Sequence, residues 1–192
     1  MQSPNDSQHQ NHSFIKIAVL FYGACGLVAL IWSWITASPR NLFYSSSKLL
    51  PGNMLFGSLL GIILALGSIS TSHLCLRYTH WASQLFRWFK TVLGNINYHE
   101  VLVLALLSSG GEELLFRGAM LHTLGLEWTS ILFCLAHFPP RWALLPWTIS
   151  AGVIGTLLGI ITLKSENLFG AMIAHFLINW WNLRLLIKRP ND

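Results

Sequence analysis

The sequence predicts an all-α fold: a polytopic membrane helical bundle of about six membrane segments plus one interfacial amphipathic helix. Composition is the first reason, since 53% of the 192 residues are hydrophobic and 10% charged, against about 25% charged in a soluble domain. Second, apolar runs near the length of about 20 residues that a bilayer crossing needs recur along the chain. Third, the net charge of +5 is gathered in particular connections, which reads as membrane topology and not as a nucleic-acid footprint. Nine tryptophans suit anchors at the membrane surface. Membrane lipid is therefore an expected partner and nucleic acid is not.

Residues 1–13 are polar and are expected to form a disordered tail ahead of a single transmembrane domain over 14–189. The first span runs from about Ile17 to Ala37 and ends at Ser38-Pro39-Arg40. It is longer than the roughly 7–15-residue core of a signal peptide and lacks a small-residue cleavage site, so it reads as a retained span. Pro51-Gly52 opens the second span, from about Asn53 to Leu76. Between Tyr78 and Leu93, Trp81, Leu85, Trp88 and Val92 recur at helical spacing while Arg77, Arg87 and Lys90 add positive charge. That pattern predicts an amphipathic helix in the headgroup layer.

The third span covers about Val101–Leu124, and a short fourth segment, about Glu127–Phe138, stops at Pro139-Pro140. The fourth is too short to cross alone, so it must be tilted, re-entrant or surrounded by protein. The fifth span runs from about Trp142 to Leu163 and the sixth from about Leu168 to Ile187. Gly152, Gly155 and Gly159 give the fifth a small-residue face suited to close helix packing. Lys16, Arg77, Arg87, Lys90, Arg141, Arg184, Lys188 and Arg189 fall on one side of this arrangement, with Arg40, Lys48 and Lys164 on the other. The asymmetry predicts cytoplasmic termini.

Chemistry concentrates in Gly110-Gly111-Glu112-Glu113-Leu114-Leu115-Phe116-Arg117-Gly118, inside the third apolar run. A charge at the centre of a spanning helix costs about 2.5–3.5 kcal/mol on the insertion scale, and an anchor alone has no use for three. Glu113 and Arg117 are four apart and share a helix face, so they are expected to pair as structural support. Glu112 points about 100° away round the helix and needs another partner. Two polar groupings in apolar segments offer one: Phe133-Cys134-Leu135-Ala136-His137, and His175-Phe176-Leu177-Ile178-Asn179, whose His and Asn share a face.

Depth supports convergence. At 1.5 Å per residue, Glu112 lies about 20 Å from the cytoplasmic start of its span. His137 and His175 lie roughly 11–17 Å from the outer starts of theirs. In a core about 30 Å thick all three fall near the middle third. A cavity there suits water activation: Glu112 with His137 polarises water for attack on an amide carbonyl, and His175 and Asn179 donate to the oxyanion.

The series Glu112-Glu113-x-x-x-Arg117, Phe133-x-x-x-His137 and His175-x-x-x-Asn179 resembles the CPBP (CAAX protease and bacteriocin-processing, Abi) family of intramembrane proteases, related to the type II CAAX prenyl endopeptidases. The resemblance covers a core of about residues 99–187. It implies catalytic roles for Glu112, His137, His175 and Asn179, with Glu113 and Arg117 supporting, and a protein or peptide substrate with a membrane-associated segment. The family has been described both as metalloproteases and as glutamate-type proteases. A zinc reading would use Glu112, His137 and His175 as ligands. No His-Glu-x-x-His motif is present, so a metal-free mechanism without cofactor is favoured.

Two other classes compete. A non-catalytic immunity or scaffold protein would keep the polar cluster as glue between helices. A proton-coupled transporter also uses intramembrane Glu and His, but no internal repeat supports it. Cys25, Cys75 and Cys134 lack ligand spacing and read as small buried hydrophobes.

Overall fold

A computed structural model describes residues 4–36, 42–43 and 51–188, with side chains described from residue 14 onward. Seven α-helices and no strand occur among the described residues. Four stretches are long and apolar enough to cross a membrane: Phe14–Ile35, Pro51–Tyr78, Tyr98–Ala136 and Trp142–Ser165. The protein is an all-α integral membrane bundle.

Helix α1 (Pro4–Ile35) starts inside the polar segment expected to be disordered. Pro4 suits a first helical position, and no glycine or proline interrupts the chain before the first span. Residues 1–3 of that segment lie outside the described residues. The expected stop signal Ser38-Pro39-Arg40 lies outside them too, as does Lys48. Helix α2 (Pro51–Tyr78) runs directly into α3 (His80–Leu93), the amphipathic helix. Its Phe86, Phe89 and Leu93 pack in a cluster with Ala18, Ile96, Val101, Leu104 and Leu186. Gly94 closes α3 at φ 62°, with its N–H on the Lys90 carbonyl.

Helix α4 (Tyr98–Glu113) begins three residues before the expected start of the third span. Asn97 and Glu100 explain this: Glu100 N–H donates to Asn97 Oδ1 at 3.0 Å and Asn97 N–H donates to Glu100 Oε2 at 2.8 Å. This reciprocal cap satisfies donors that would otherwise be orphaned. Beyond Glu113 the backbone widens into a π-helical stretch, Leu114–Met120, and α5 (Leu121–Ala136) follows.

Inside α5 the chain breaks at Gly125, φ 78° and ψ 173°, a backbone state that favours glycine. It then folds back on itself. Phe116 and Phe133, nearly equidistant from Gly125, stack edge-to-face with centroids 5.0 Å apart. The expected third and fourth segments are therefore two arms of one helical hairpin. The second arm ends at Ala136, which puts His137 at the level of Glu112.

A short 3₁₀ turn, Trp142–Leu144, leads to α6 (Leu145–Ser165). Glu166, at φ 56°, turns the chain into α7 (Phe169–Lys188). Asn167 pins that turn, accepting from Phe169 N–H at 3.1 Å and donating to Ser165 O at 2.6 Å and Asn53 O at 3.2 Å. Helix α7 is absent from the four apolar candidates because His175, Asn179, Asn182 and Arg184 interrupt it. It nonetheless packs centrally, between α2 and α4. It runs antiparallel to α4: Asn179 meets Ser108, and Leu186 clusters with Val101.

The small-residue face of α6 receives the hairpin. A Cβ on Gly155 would meet the Phe133 ring at 2.6 Å, and one on Gly159 would meet Leu126 Cδ1 at 2.5 Å. Helices α2 and α7 approach still more closely, where Gly61 faces the Gly170 backbone. Gly61→Ala therefore forces two backbones apart. It is expected to destabilise by about 1–3 kcal/mol, read as a lower midpoint of thermal unfolding in detergent.

Candidate active site

Glu112 and Glu113 occupy the last turn of α4, and their side chains diverge as adjacent helical positions must. Glu113 is 0% and Arg117 1% exposed. The expected pair forms, with Arg117 Nη1 donating to Glu113 Oε1 at 2.9 Å. Arg117 Nη2 also donates to the Gly155 carbonyl at 2.9 Å, and the guanidinium lies 4.1 Å from the Phe133 ring centroid. Glycine at 155 makes this possible, because a Cβ there would come within 3.1 Å of Nη2. One charged side chain thus ties the hairpin to α6.

Glu113 has a second partner that helical spacing did not predict. His175 Nδ1 donates to the same Oε1 at 2.7 Å. That bond carries the Nδ1 proton and turns Nε2 towards Glu112, 4.0 Å from its Oε2. His137 is set in the same way by a different group: its Nδ1 donates to the Phe133 carbonyl at 2.8 Å, leaving Nε2 at 3.8 Å from Glu112 Oε2. Thr148 Oγ1 donates to the His137 carbonyl at 2.6 Å, and Trp147 packs edge-on against the imidazole at 5.7 Å.

The result is three atoms with free lone pairs turned on one point. Neutral imidazoles with protonated Nδ1 offer only an acceptor at Nε2, and a carboxylate oxygen is also an acceptor. Glu112 is 9% exposed, and its Oε2 is buried with no hydrogen-bond partner in the protein. Such a constellation calls for a donor between the three, and water supplies two O–H groups.

The other members stand as follows. Asn179 Nδ2 donates to Ser108 Oγ at 2.9 Å, one turn from His175 on α7 and one turn before Glu112 on α4. Sequence reasoning missed Ser108, the Glu113–His175 bond and Tyr22, whose backbone packs from α1 against Gly111, the residue before Glu112. No local spacing encodes any of the three, because each depends on the register between separate helices.

The family model "Type II CAAX prenyl endopeptidase Rce1-like" matches residues 95–181. This stretch runs from just before α4 into α7 and holds Glu112, Glu113, Arg117, His137, His175 and Asn179. The uncharacterized protein YpbD of Bacillus subtilis (strain 168) is 34% identical over 92 residues, which cover 47% of this chain and 47% of that protein. The chain thus matches about half the length of this curated relative. No solved structure matches it.

The shared Glu113 carboxylate generates a prediction. Glu113→Gln strands the Arg117 guanidinium in a buried site, at a cost of about 3–5 kcal/mol. Glu113→Gln combined with Arg117→Met removes both charges and is expected to recover most of that loss. Thermal unfolding of the two variants in detergent checks both statements.

Proposed function

Because residues 95–181 match the family model of the type II CAAX prenyl endopeptidase Rce1-like proteins, we propose that the chain is an intramembrane endopeptidase of the glutamate type. It hydrolyses a peptide bond in a membrane-associated or C-terminally anchored protein or peptide. The observation that carries this reading is the convergence of Glu112 Oε2 with His137 Nε2 at 3.8 Å and His175 Nε2 at 4.0 Å.

In this mechanism Glu112 and His137 hold a water molecule. Its oxygen attacks the carbonyl carbon of the scissile amide while one of its protons passes to Glu112. The oxyanion that forms accepts hydrogen bonds from Asn179 and from Nε2 of His175, which first takes up a proton from solvent and becomes imidazolium. Glu113, on the far side of that ring, balances the imidazolium charge. Such donors commonly contribute about 2.7–4 kcal/mol to the transition state. Collapse of the tetrahedral intermediate breaks the C–N bond, and Glu112 returns its proton to the leaving amine.

The three converging atoms also form a zinc donor set by element type. Bonds of about 2.0–2.2 Å set neighbouring ligand atoms of a zinc tetrahedron roughly 3.3–3.5 Å apart, closer than the 3.8 and 4.0 Å between Oε2 and the imidazoles. Among the described residues no trio of His, Cys, Asp or Glu is arranged to hold a metal ion. Hydrogen bonds of about 2.8 Å from one water span gaps of about 4 Å with ease, which favours water as the occupant.

A non-catalytic immunity or scaffold role draws support from the Glu113–Arg117–Gly155 ties, which bind helices without chemistry. It gives no work to Glu112 Oε2. The excess of Lys and Arg at the end of the bundle where α1 begins and α7 finishes supports cytoplasmic termini in a bacterial inner membrane.

Two measurements test the reading. Glu112→Gln is expected to lower peptide cleavage by about 10²–10⁴-fold with insertion and thermal unfolding unchanged; unimpaired turnover removes Glu112 from the mechanism. Chelators are expected to leave turnover intact, and a loss restored by zinc reverses the metal-free assignment.

A further inference from the structure

Resting on the endopeptidase reading, we propose that Ser108 is a positioning residue of this site. Its hydroxyl fixes which way round the Asn179 amide sits, so that an N–H and not the carbonyl oxygen is presented to the oxyanion. Ser108 itself touches no substrate and acts only through Asn179.

Three observations carry it. The first is the direction of two hydrogen bonds at one atom. Ser108 Oγ donates to the Ala105 carbonyl of its own helix at 3.2 Å and accepts from Asn179 Nδ2 at 2.9 Å. A hydroxyl has one hydrogen to give. With that hydrogen spent on Ala105, Ser108 offers α7 only lone pairs, and only the nitrogen end of the amide can answer them. An amide nitrogen carries two N–H groups, so one is held by Ser108 and the second is left for the oxyanion.

The second is where this contact sits. Ser108 and Glu112 are four apart on α4, and His175 and Asn179 are four apart on the antiparallel α7, so each pair shares a helix face. The helices meet there in two rungs one turn apart. In one, Glu112 Oε2 stands 4.0 Å from His175 Nε2; in the other, Ser108 holds Asn179.

The third is burial. Ser108 is 5% exposed, so its bonds are made inside the bundle, while Asn179 is half-buried. A side-chain amide turned over keeps nearly the same shape but exchanges its oxygen for its nitrogen. Packing therefore does not choose between the two orientations, and hydrogen-bond polarity does. The wrong one would set a carbonyl oxygen against the oxyanion.

Ser108→Ala deletes the hydroxyl and keeps a good helix former. Assayed as the full chain in proteoliposomes, on a peptide with an apolar C-terminal anchor, it is expected to lower kcat by about 5- to 50-fold with KM within about twofold. Ser109→Ala removes the neighbouring buried hydroxyl, which donates to the Leu106 carbonyl of its own helix, and is expected to match the wild type. In an Asn179→Ala background the amide is already gone, and Ser108→Ala is expected to lower kcat no further. A bond that merely holds α4 to α7 behaves differently: its loss lowers the unfolding midpoint and spares kcat, and that result overturns the inference. So does an equal further loss of kcat in the Asn179→Ala background. Either leaves the endopeptidase reading standing, because Glu112→Gln tests that reading separately. The contact is also read without turnover, from the unfolding midpoints in detergent of Ser108→Ala, Asn179→Ala and the double variant. Shifts short of additive by about 2–4 °C are expected, and additive shifts overturn the contact and the role built on it.

Discussion

Everything at the centre of this bundle depends on one oxygen. Glu113 Oε1 accepts from Arg117 on its own helix and from His175 on α7, so a single buried atom joins the hairpin to the last helix. A lone carboxylate in hydrocarbon is costly, and so is a lone guanidinium. Paired four residues apart they neutralise each other locally, which lets the third span carry charge into the membrane. His175 then uses the same oxygen to fix its ring. The charge that makes the span tolerable also sets the proton on Nδ1 and aims Nε2.

Around that atom, glycine determines how near the helices come. Gly155 leaves room for the guanidinium and the Phe133 ring, Gly111 for the backbone of α1, and Gly61 for α7. In a bilayer, apolar burial does not drive helices together as it does in water, so close backbone approach and buried hydrogen bonds carry more of the cohesion. The polar cluster and the glycine contacts are two halves of one packing solution.

The sequence made the helical class legible, because long apolar runs and sparse charge leave few alternatives. Helix α3 was equally readable, since its charges and aromatics repeat at helical spacing. Glu112, His137 and His175 could be set at similar depth by counting residues, and the structure brings them together. The π-helical widening at Leu114–Met120 was not readable: backbone hydrogen-bond register leaves no mark on hydrophobic periodicity. Gly125 lies in an apolar run where glycine is common, so its positive φ and the fold-back it permits were hidden. The Glu113–His175 bond and Tyr22 were invisible for a further reason. Each is a meeting of distant segments, fixed by how far one helix slides along another. The zinc and water alternatives share the same residues, and sequence alone separates them only through the absence of a known ligand motif.

The position of α7 in chain order has a consequence for biosynthesis. The Glu113–Arg117 pair is local and can form as soon as α4 and the π-helical stretch leave the ribosome. His137 returns to Glu112 within the same hairpin. His175 arrives only after α6 has been inserted, so a nascent chain carries an oriented carboxylate with no second imidazole opposite it. Assembly of the complete cluster is thereby tied to the final steps of translocation.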